Sequence, residues 1–229
     1  MLILLDRKMP ETAKEKLAEY GEIVEFATDG ITYEAISGHP DIFLCPTPAG
    51  LIVAPNMPEY YFSILDQKNI PYLKGSLPVG RTYPESARYN SLVTKQYIIQ
   101  NPAICDPEIR NSNKEPERIE TKQGYIQCNL VALPNNTFIT SDHGIEKSLK
   151  LLKLEVLYVN PTSIKLDGFE HGFFGGACGL LRNTLFICGS LKYFKEHIVI
   201  EEFIGCAEIK IIELYSGPLL DVGTIMFLI

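Results

Sequence analysis

The sequence of 229 residues lacks the motifs of several common kinds of site. Its six cysteines form no CxxC pair, which argues against a zinc ribbon and against a thioredoxin-type redox site. No glycine-rich stretch continues into the Lys-Ser/Thr of a phosphate-binding loop, and neither an HExxH nor a GxSxG string is present. The sequence therefore predicts none of the chemistry that these motifs carry.

Positive charge and long apolar runs are also scarce. Lysine and arginine total 21 against 28 aspartates and glutamates, and the net charge of −7 disfavours nucleic acids and anionic membranes because phosphates would be repelled. No apolar run approaches the roughly 18–20 residues that cross a bilayer, and no signal peptide is predicted. We therefore expect a cytoplasmic protein with reduced cysteines and without nucleic-acid or membrane partners.

Apolar residues make up 46% of the chain, and their pattern repeats. Three times, two short apolar runs are split by turn residues, which predicts a β-hairpin, and a helix pattern and one more apolar strand follow. Residues 2–26 are a partial copy without its first hairpin strand, and residues 224–229 are a lone strand. Pairing the two would close a ring and remove exposed sheet edges. The predicted hairpins cover residues 42–54, 128–140 and 177–188.

The remaining part of the chain is less regular. Residues 89–100 look extended, and residues 101–120 are polar and charged, which predicts a degenerate unit with a long surface loop in place of a proper helix. About five units then recur at a period of roughly 40–50 residues, as in repeat architectures. The prediction is a single α/β domain over residues 1–229, built as a pseudo-symmetric five-unit ββαβ ring.

Such a ring resembles the pentein fold, also called an α/β propeller. Penteins include enzymes that modify guanidino groups, among them arginine and agmatine deiminases, amidinotransferases and dimethylarginine hydrolases, and also a non-enzymatic ribosome anti-association factor. Three strings resemble, more specifically, a bacterial family of uncharacterised pentein-like proteins, and the resemblance covers nearly the whole chain. They are AISGHPDI at 35–42, KQGY at 122–125 and GFFGGA at 172–177.

The resemblance implies a chemistry that can be checked residue by residue. In pentein enzymes a cysteine thiolate attacks the guanidinium carbon, a histidine transfers protons and carboxylates hold the cationic group. The nucleophile follows a glycine beside the final strand, in a pattern like Asp-Gly-x-x-x-Cys. The matching stretch here runs from Asp221 to Met226, and no cysteine follows Cys206. We therefore expect a protein that binds a small ligand or a partner without the standard machinery. The alternative is a hydrolase acting on a C–N bond of a guanidino or amide group.

Two candidate sites follow from the residues themselves. Cys178 lies among glycines in the same unit as His171, which suggests a relocated nucleophile with its base, or else a small residue packed at the ring centre. In the second, Pro40 holds His39 and Asp41 at a strand entrance, where they would bind a cation or transfer a proton, or else bond the local backbone.

These candidates are predicted to share one cavity on the ring axis. Equivalent strand positions converge at one end of a ring, so residues distant in sequence meet there. No cofactor and no resident metal is predicted, although two imidazoles beside a carboxylate would suit a metal. A small-molecule ligand is the expected partner, and a homo-oligomer is compatible with the sequence. The cavity would be lined by His39, Asp41, Lys122, His171 and Cys178.

Overall fold

The structure is a computed structural model that describes residues 1–112 and 114–229. This part of the chain forms short strands and helices in a repeating order. The strands are β1 (Leu2–Asp6), β2 (Glu22–Phe26), β3 (Leu44–Thr47), β4 (Gly50–Val53), β5 (Tyr72–Lys74), β6 (Leu92–Val93), β7 (Tyr97–Gln100), β8 (Glu117–Glu120), β9 (Leu130–Leu133), β10 (Thr137–Thr140), β11 (Glu155–Tyr158), β12 (Cys178–Leu181), β13 (Thr184–Ile187), β14 (Lys210–Glu213) and β15 (Met226–Leu228). The α-helices are α1 (Glu11–Ala18), α2 (Glu59–Gln67), α3 (Pro107–Asn111), α4 (Ile126–Asn129), α5 (His143–Leu151) and α6 (His197–Cys206).

The described strands form five three-stranded sheets of one design. In each sheet the central strand pairs antiparallel with one neighbour and parallel with the other. A parallel pair needs a crossover, and a helix lies in each of them. The sheets have the orders β15-β1-β2, β3-β4-β5, β6-β7-β8, β9-β10-β11 and β12-β13-β14. The predicted mixed α/β class and the repeated unit are confirmed.

The polar stretch at 101–120 is more regular than the sequence indicated. The prediction of a long surface loop without a proper helix is wrong, because helix α3 and strand β8 both lie in this stretch. Each buries one isoleucine, Ile109 at 0% exposure and Ile119 at 4%. One apolar residue per element is too weak a pattern to detect. Position 113 of this stretch lies outside the described residues.

The two ends of the chain meet in the first sheet. Strand β15 pairs antiparallel with β1, with Leu2 opposite Leu228 and Leu4 opposite Met226, so the predicted pairing of the terminal strands is confirmed. These four side chains are buried in one apolar cluster that continues into the β3-β4-β5 sheet. None of the described helices is long and apolar enough to cross a bilayer.

The terminal pairing predicts unequal effects for two adjacent substitutions. Leu228 is 6% exposed and Ile229 is 84% exposed. Leu228→Ala should lower the free energy of unfolding by about 2–4 kcal/mol because it leaves a cavity beside β1, whereas Ile229→Ala should change it by less than about 0.5 kcal/mol. Urea unfolding measures both. Equal, small effects would show that the last strand adds little to the fold.

Candidate functional site

The His39–Asp41 segment enters the protein as a tight turn. Residues Pro40–Ile42 form one turn of 3₁₀ helix, with His39 in extended backbone before it. The strand begins at Leu44, two residues later than the sequence indicated. His39 and Asp41 are 1% and 0% exposed. Both side chains therefore lie inside the molecule, where their polar atoms need protein partners.

Asp41 is held by residues from distant parts of the chain. Its Oδ2 accepts hydrogen bonds from the thiol of Cys128 at 2.9 Å and from Oγ1 of Thr224 at 2.8 Å. Its other carboxylate oxygen, Oδ1, is buried and has no hydrogen-bond partner among the residues that the structure describes. His39, Asp41 and Cys128 each offer a ligand atom, and these three atoms lie within 4.8 Å of one another. The apolar pattern predicts a hairpin strand at Cys128, but this residue lies in helix α4.

Asn90 fixes the position of Cys128. Its Nδ2 lies 3.1 Å from both the carbonyl oxygen of Asp41 and the sulfur of Cys128. Its Oδ1 accepts a hydrogen bond from the Cys128 backbone N–H at 3.1 Å. Asn90 is fully buried. One amide side chain thus joins the turn at Asp41 to helix α4.

His39 lies between two further carboxylates. Its Nε2 is 3.6 Å from Oδ2 of Asp6, and its Nδ1 is 3.9 Å from Oδ1 of Asp221 and has no hydrogen-bond partner among the described residues. Burial, with a smaller contribution from the positive charge of Lys8, lowers the pKa of His39 to about 3. The imidazole is therefore neutral at pH 7, and neither contact is an ion pair.

Burial also acts on the three carboxyl groups. It raises the pKa of Asp6 and Asp41 to about 6 and that of Asp221 to about 7. Repulsion from Asp41 adds to the shift at Asp221, whereas backbone N–H groups of Gly223 and Phe173 oppose it. Among the described residues, no lysine or arginine side chain hydrogen-bonds to these carboxylates. The cluster is acidic, and at Asp6 the positive charges of Lys8, Arg7 and Lys14 partly offset the effect of burial.

A cavity of about 90 Å³ opens above this cluster. Its floor includes His39, Cys128 and Asp221, and its wall is largely aromatic. The hydroxyl groups of Tyr33 and Tyr125 lie 3.3 Å apart. The volume is well above the roughly 10–15 Å³ that a single water needs. The other lining residues are Tyr33, Tyr125, Phe169, Phe173, His171, Ile36, Ile42 and Leu166.

The structure brings some of the predicted site residues together and separates others. His171 lines the same cavity as His39, with Asp41 beneath the floor. Cys178 is buried against a different cavity of about 190 Å³, and Lys122 is exposed on the surface. The expectation that all five line one cavity is therefore wrong. In the unit that carries Lys122, helix α4 turns Cys128 inward, while the Lys122 carbonyl accepts a surface hydrogen bond from Asn101.

Cys178 is also a poor candidate for a nucleophile. It is 1% exposed, and burial raises the pKa of its thiol well above the usual value. It lines a cavity that His171 does not line, so no imidazole–thiol pair forms as the sequence suggested. Cys178 fits the alternative interpretation, a small residue packed in the interior.

The segment before β15 shapes the floor from below. Gly223 has φ +64°, and a Cβ there would lie 2.2 Å from Cβ of His39, so only glycine allows this approach. Thr224 has φ +68°, a rare conformation for a β-branched residue. Its hydrogen bond to Asp41 helps to hold that strained backbone. In the sequence, only the missing pentein nucleophile distinguishes this stretch.

Comparison with known proteins agrees with the geometry. A family of unknown function, DUF6873, matches residues 4–226. The chain belongs to the DUF6873 family. No curated protein matches it.

Two solved enzyme structures share the fold of this DUF6873 protein. An agmatine deiminase from C. jejuni matches with a TM-score of 0.52 and 11% identity, covering 93% of this chain and 86% of that chain. A dimethylarginine dimethylaminohydrolase, in an adduct with S-methyl-L-thiocitrulline, matches with a TM-score of 0.53 and 13% identity, covering 93% of this chain and 91% of that one. The fold is therefore pentein-like.

The raised pKa of Asp221 predicts a pH-dependent stability. The ordinary pKa is 3.8 and the folded value is about 7, so between pH 4 and 7 the folded state binds the extra proton. The free energy of unfolding therefore falls as pH rises through this window, by at most about 1.4 kcal/mol per pH unit for this group. Asp221→Asn should remove this contribution, and stability curves from pH 4 to 8 measure it.

The slope of the free energy of unfolding against pH distinguishes loss of this titration from a general loss of stability. Asparagine cannot accept both backbone hydrogen bonds, so an offset that is constant with pH is expected as well. Asp29→Asn, at an exposed position, should leave the slope unchanged. An Asp221→Asn variant with the slope of the wild type would show that Asp221 is not protonated in the folded protein.

Proposed function

We propose that this protein binds a small molecule through a guanidinium or amino group in the aromatic-walled cavity. The observation that carries the proposal is the acidic floor. The Asp221 carboxylate reaches the cavity and Asp41 lies buried close by, and among the described residues no lysine or arginine side chain hydrogen-bonds to either. Because burial of unpaired negative charge is costly, a cationic ligand would be stabilised there.

The cavity wall supports the same class of ligand. Tyr33 and Phe169 pack with ring centroids 5.5 Å apart, and Phe173 and Tyr125 also line the cavity. A cation above an aromatic face gains about 0.5–2 kcal/mol, most where water is excluded. A carboxylate at one end and aromatic rings at the sides would therefore select a flat or compact cation over a neutral molecule of similar size.

The relatives by fold point in the same direction. Agmatine and dimethylarginine, named in the two matching structures, both carry a guanidinium group. We also propose that the five sheets follow one another around a common axis, with the cavity at one end of it. The close approach of β3 to β6 and of β12 to β15 supports this ring.

We propose that the protein binds this ligand without carrying out the standard pentein reaction. The residues that follow Gly223 are Thr224, Ile225 and Met226, none of which supplies a thiol. Thr224 instead donates its hydroxyl hydrogen bond to Asp41. The acidic cation-holding part of a pentein site would then be present without its nucleophile.

Calorimetry tests ligand binding directly. Agmatine and N,N-dimethylarginine should bind and raise the melting temperature, whereas butylurea, an uncharged analogue with neither a guanidinium nor an amino group, should bind at least tenfold more weakly. Asp221→Asn should weaken agmatine binding at least tenfold because it removes the carboxylate that faces the cavity. Asp29→Asn should bind as the wild type does.

A second variant, at the exposed rim of the cavity, tests ligand binding without changing the buried residues of the floor. Phe169 is 51% exposed, so Phe169→Ala should leave the fold intact while weakening agmatine binding several-fold. Equal binding of agmatine and butylurea, or wild-type affinity in both cavity variants, would refute the proposal.

Hydrolysis of a C–N bond is the second candidate. The Cys128 thiol and the neutral His39 imidazole in the floor of the same cavity suggest it, and burial opposes it by raising the pKa of this thiol well above the usual value, as at Cys178. In such a reaction water adds to the guanidinium carbon and ammonia leaves. An ammonia assay with agmatine should then give a signal that Cys128→Ser abolishes and Cys206→Ser, at an exposed thiol, retains. Ligand binding without ammonia release would eliminate this candidate.

A further inference from the structure

The cluster beneath the cavity contains three different metal-binding groups. An imidazole, a carboxylate and a thiol, from His39, Asp41 and Cys128, present ligand atoms within 4.8 Å of one another. All three residues are at most 3% exposed. Ligands of a tetrahedral zinc ion lie about 3.3–3.8 Å apart, given bonds of about 2.0–2.3 Å, so a small contraction would complete a site.

Two of these groups have an unused polar atom. Nδ1 of His39 and Oδ1 of Asp41 are buried, and neither has a hydrogen-bond partner within the described part of the chain. Leaving a buried polar atom unpaired costs about 1–3 kcal/mol, so two of them in one cluster need an explanation. A cation bound between them would satisfy both.

Each of the three groups also has a second partner of the kind that supports a metal ligand. Nε2 of His39 lies 3.6 Å from Asp6, and metal-bound histidines usually donate their other N–H to a carboxylate. Asn90 lies 3.1 Å from the Cys128 sulfur, and Thr224 donates to Oδ2 of Asp41, which leaves Oδ1 free. Such second partners orient ligands and tune their affinity.

A cysteine–histidine nucleophilic pair fits the same residues less well. In such a pair the thiol would donate its proton to the imidazole. Here the Cys128 thiol donates to the Asp41 carboxylate, and His39 has carboxylates near both ring nitrogens. The hydrogen-bond directions favour ligands around a cation over an activated thiol.

We infer that His39, Asp41 and Cys128 form a binding site for a zinc-type divalent ion, with its remaining coordination position open to the cavity. The mixed N, O and S ligands suit Zn²⁺ and disfavour Mg²⁺ and Ca²⁺, which take oxygen ligands. Three protein ligands next to a cavity match zinc sites that bind an exogenous group. Cys128 and His39 line that cavity.

The charges of the ion and its three ligands cancel, so the cavity would still be able to bind an organic cation. A divalent ion with one thiolate, one carboxylate and a neutral imidazole has no net charge. Asp221, whose Oδ1 is 3.9 Å from His39, then remains to hold a guanidinium or amino group. The metal site does not rest on the proposed ligand, and either can fail without the other.

Metal content and cobalt spectroscopy test the inference. The purified chain, stripped with a chelator and dialysed against Zn²⁺, should bind one equivalent by elemental analysis. Substituted Co²⁺ should show a thiolate-to-cobalt charge-transfer band. Cys128→Ser should abolish this band and weaken Zn²⁺ binding at least tenfold. Cys178→Ser, matched in burial but outside the cluster, should retain both.

A variant with a smaller structural change distinguishes loss of the metal site from misfolding. Thr224→Val removes only the hydroxyl that orients Asp41 and should weaken Zn²⁺ binding about 10–100-fold. Circular dichroism checks that each variant is folded. A folded wild-type protein that binds no Zn²⁺, or a charge-transfer band that persists in Cys128→Ser, would overturn the assignment. Agmatine calorimetry on the same Cys128→Ser sample reports on Asp221 separately.

Discussion

The burial of Asp41 organises the centre of this protein. A carboxylate without solvent must be neutralised or bonded, because an isolated buried charge costs several kcal/mol. Its partners are Cys128 and Thr224, 87 and 183 residues away in the chain, and Asn90 holds its backbone carbonyl. One polar group thus ties together four segments that the sheets alone would leave in loose contact. The cavity floor depends on the same bonds.

The pairing of the terminal strands supplies the other half of the site. Asp6 ends β1, and Asp221 precedes β15, so the β1–β15 ladder brings both carboxylates to His39. The close approach needs Gly223 at positive φ, and the strain at Thr224 is compensated by its bond to Asp41. The pairing of the terminal strands and the assembly of the site therefore rest on the same few residues.

A shared fold leaves the chemistry of its site open. The chain matches a deiminase and a dimethylaminohydrolase over nearly its whole length, but it lacks a cysteine in the segment before the last strand. Its cavity thiol comes instead from helix α4, beside a buried aspartate. If a metal ion occupies that position, this end of the fold would hold one cation by metal coordination and an organic cation by pairing with a carboxylate.

Sequence alone determined the repeated unit, the α/β class and the partner of the last strand, because apolar periodicity and turn residues are local signals. It also identified His39 and Asp41, since Pro40 between two polar residues is a local feature. Only the tertiary structure decided that Cys128 and Asp221 face the cavity while Lys122 and Cys178 do not. Which way a side chain points at a strand end depends on a single helical turn or one positive φ. Such backbone choices are set by packing between units, which no local pattern in the chain encodes.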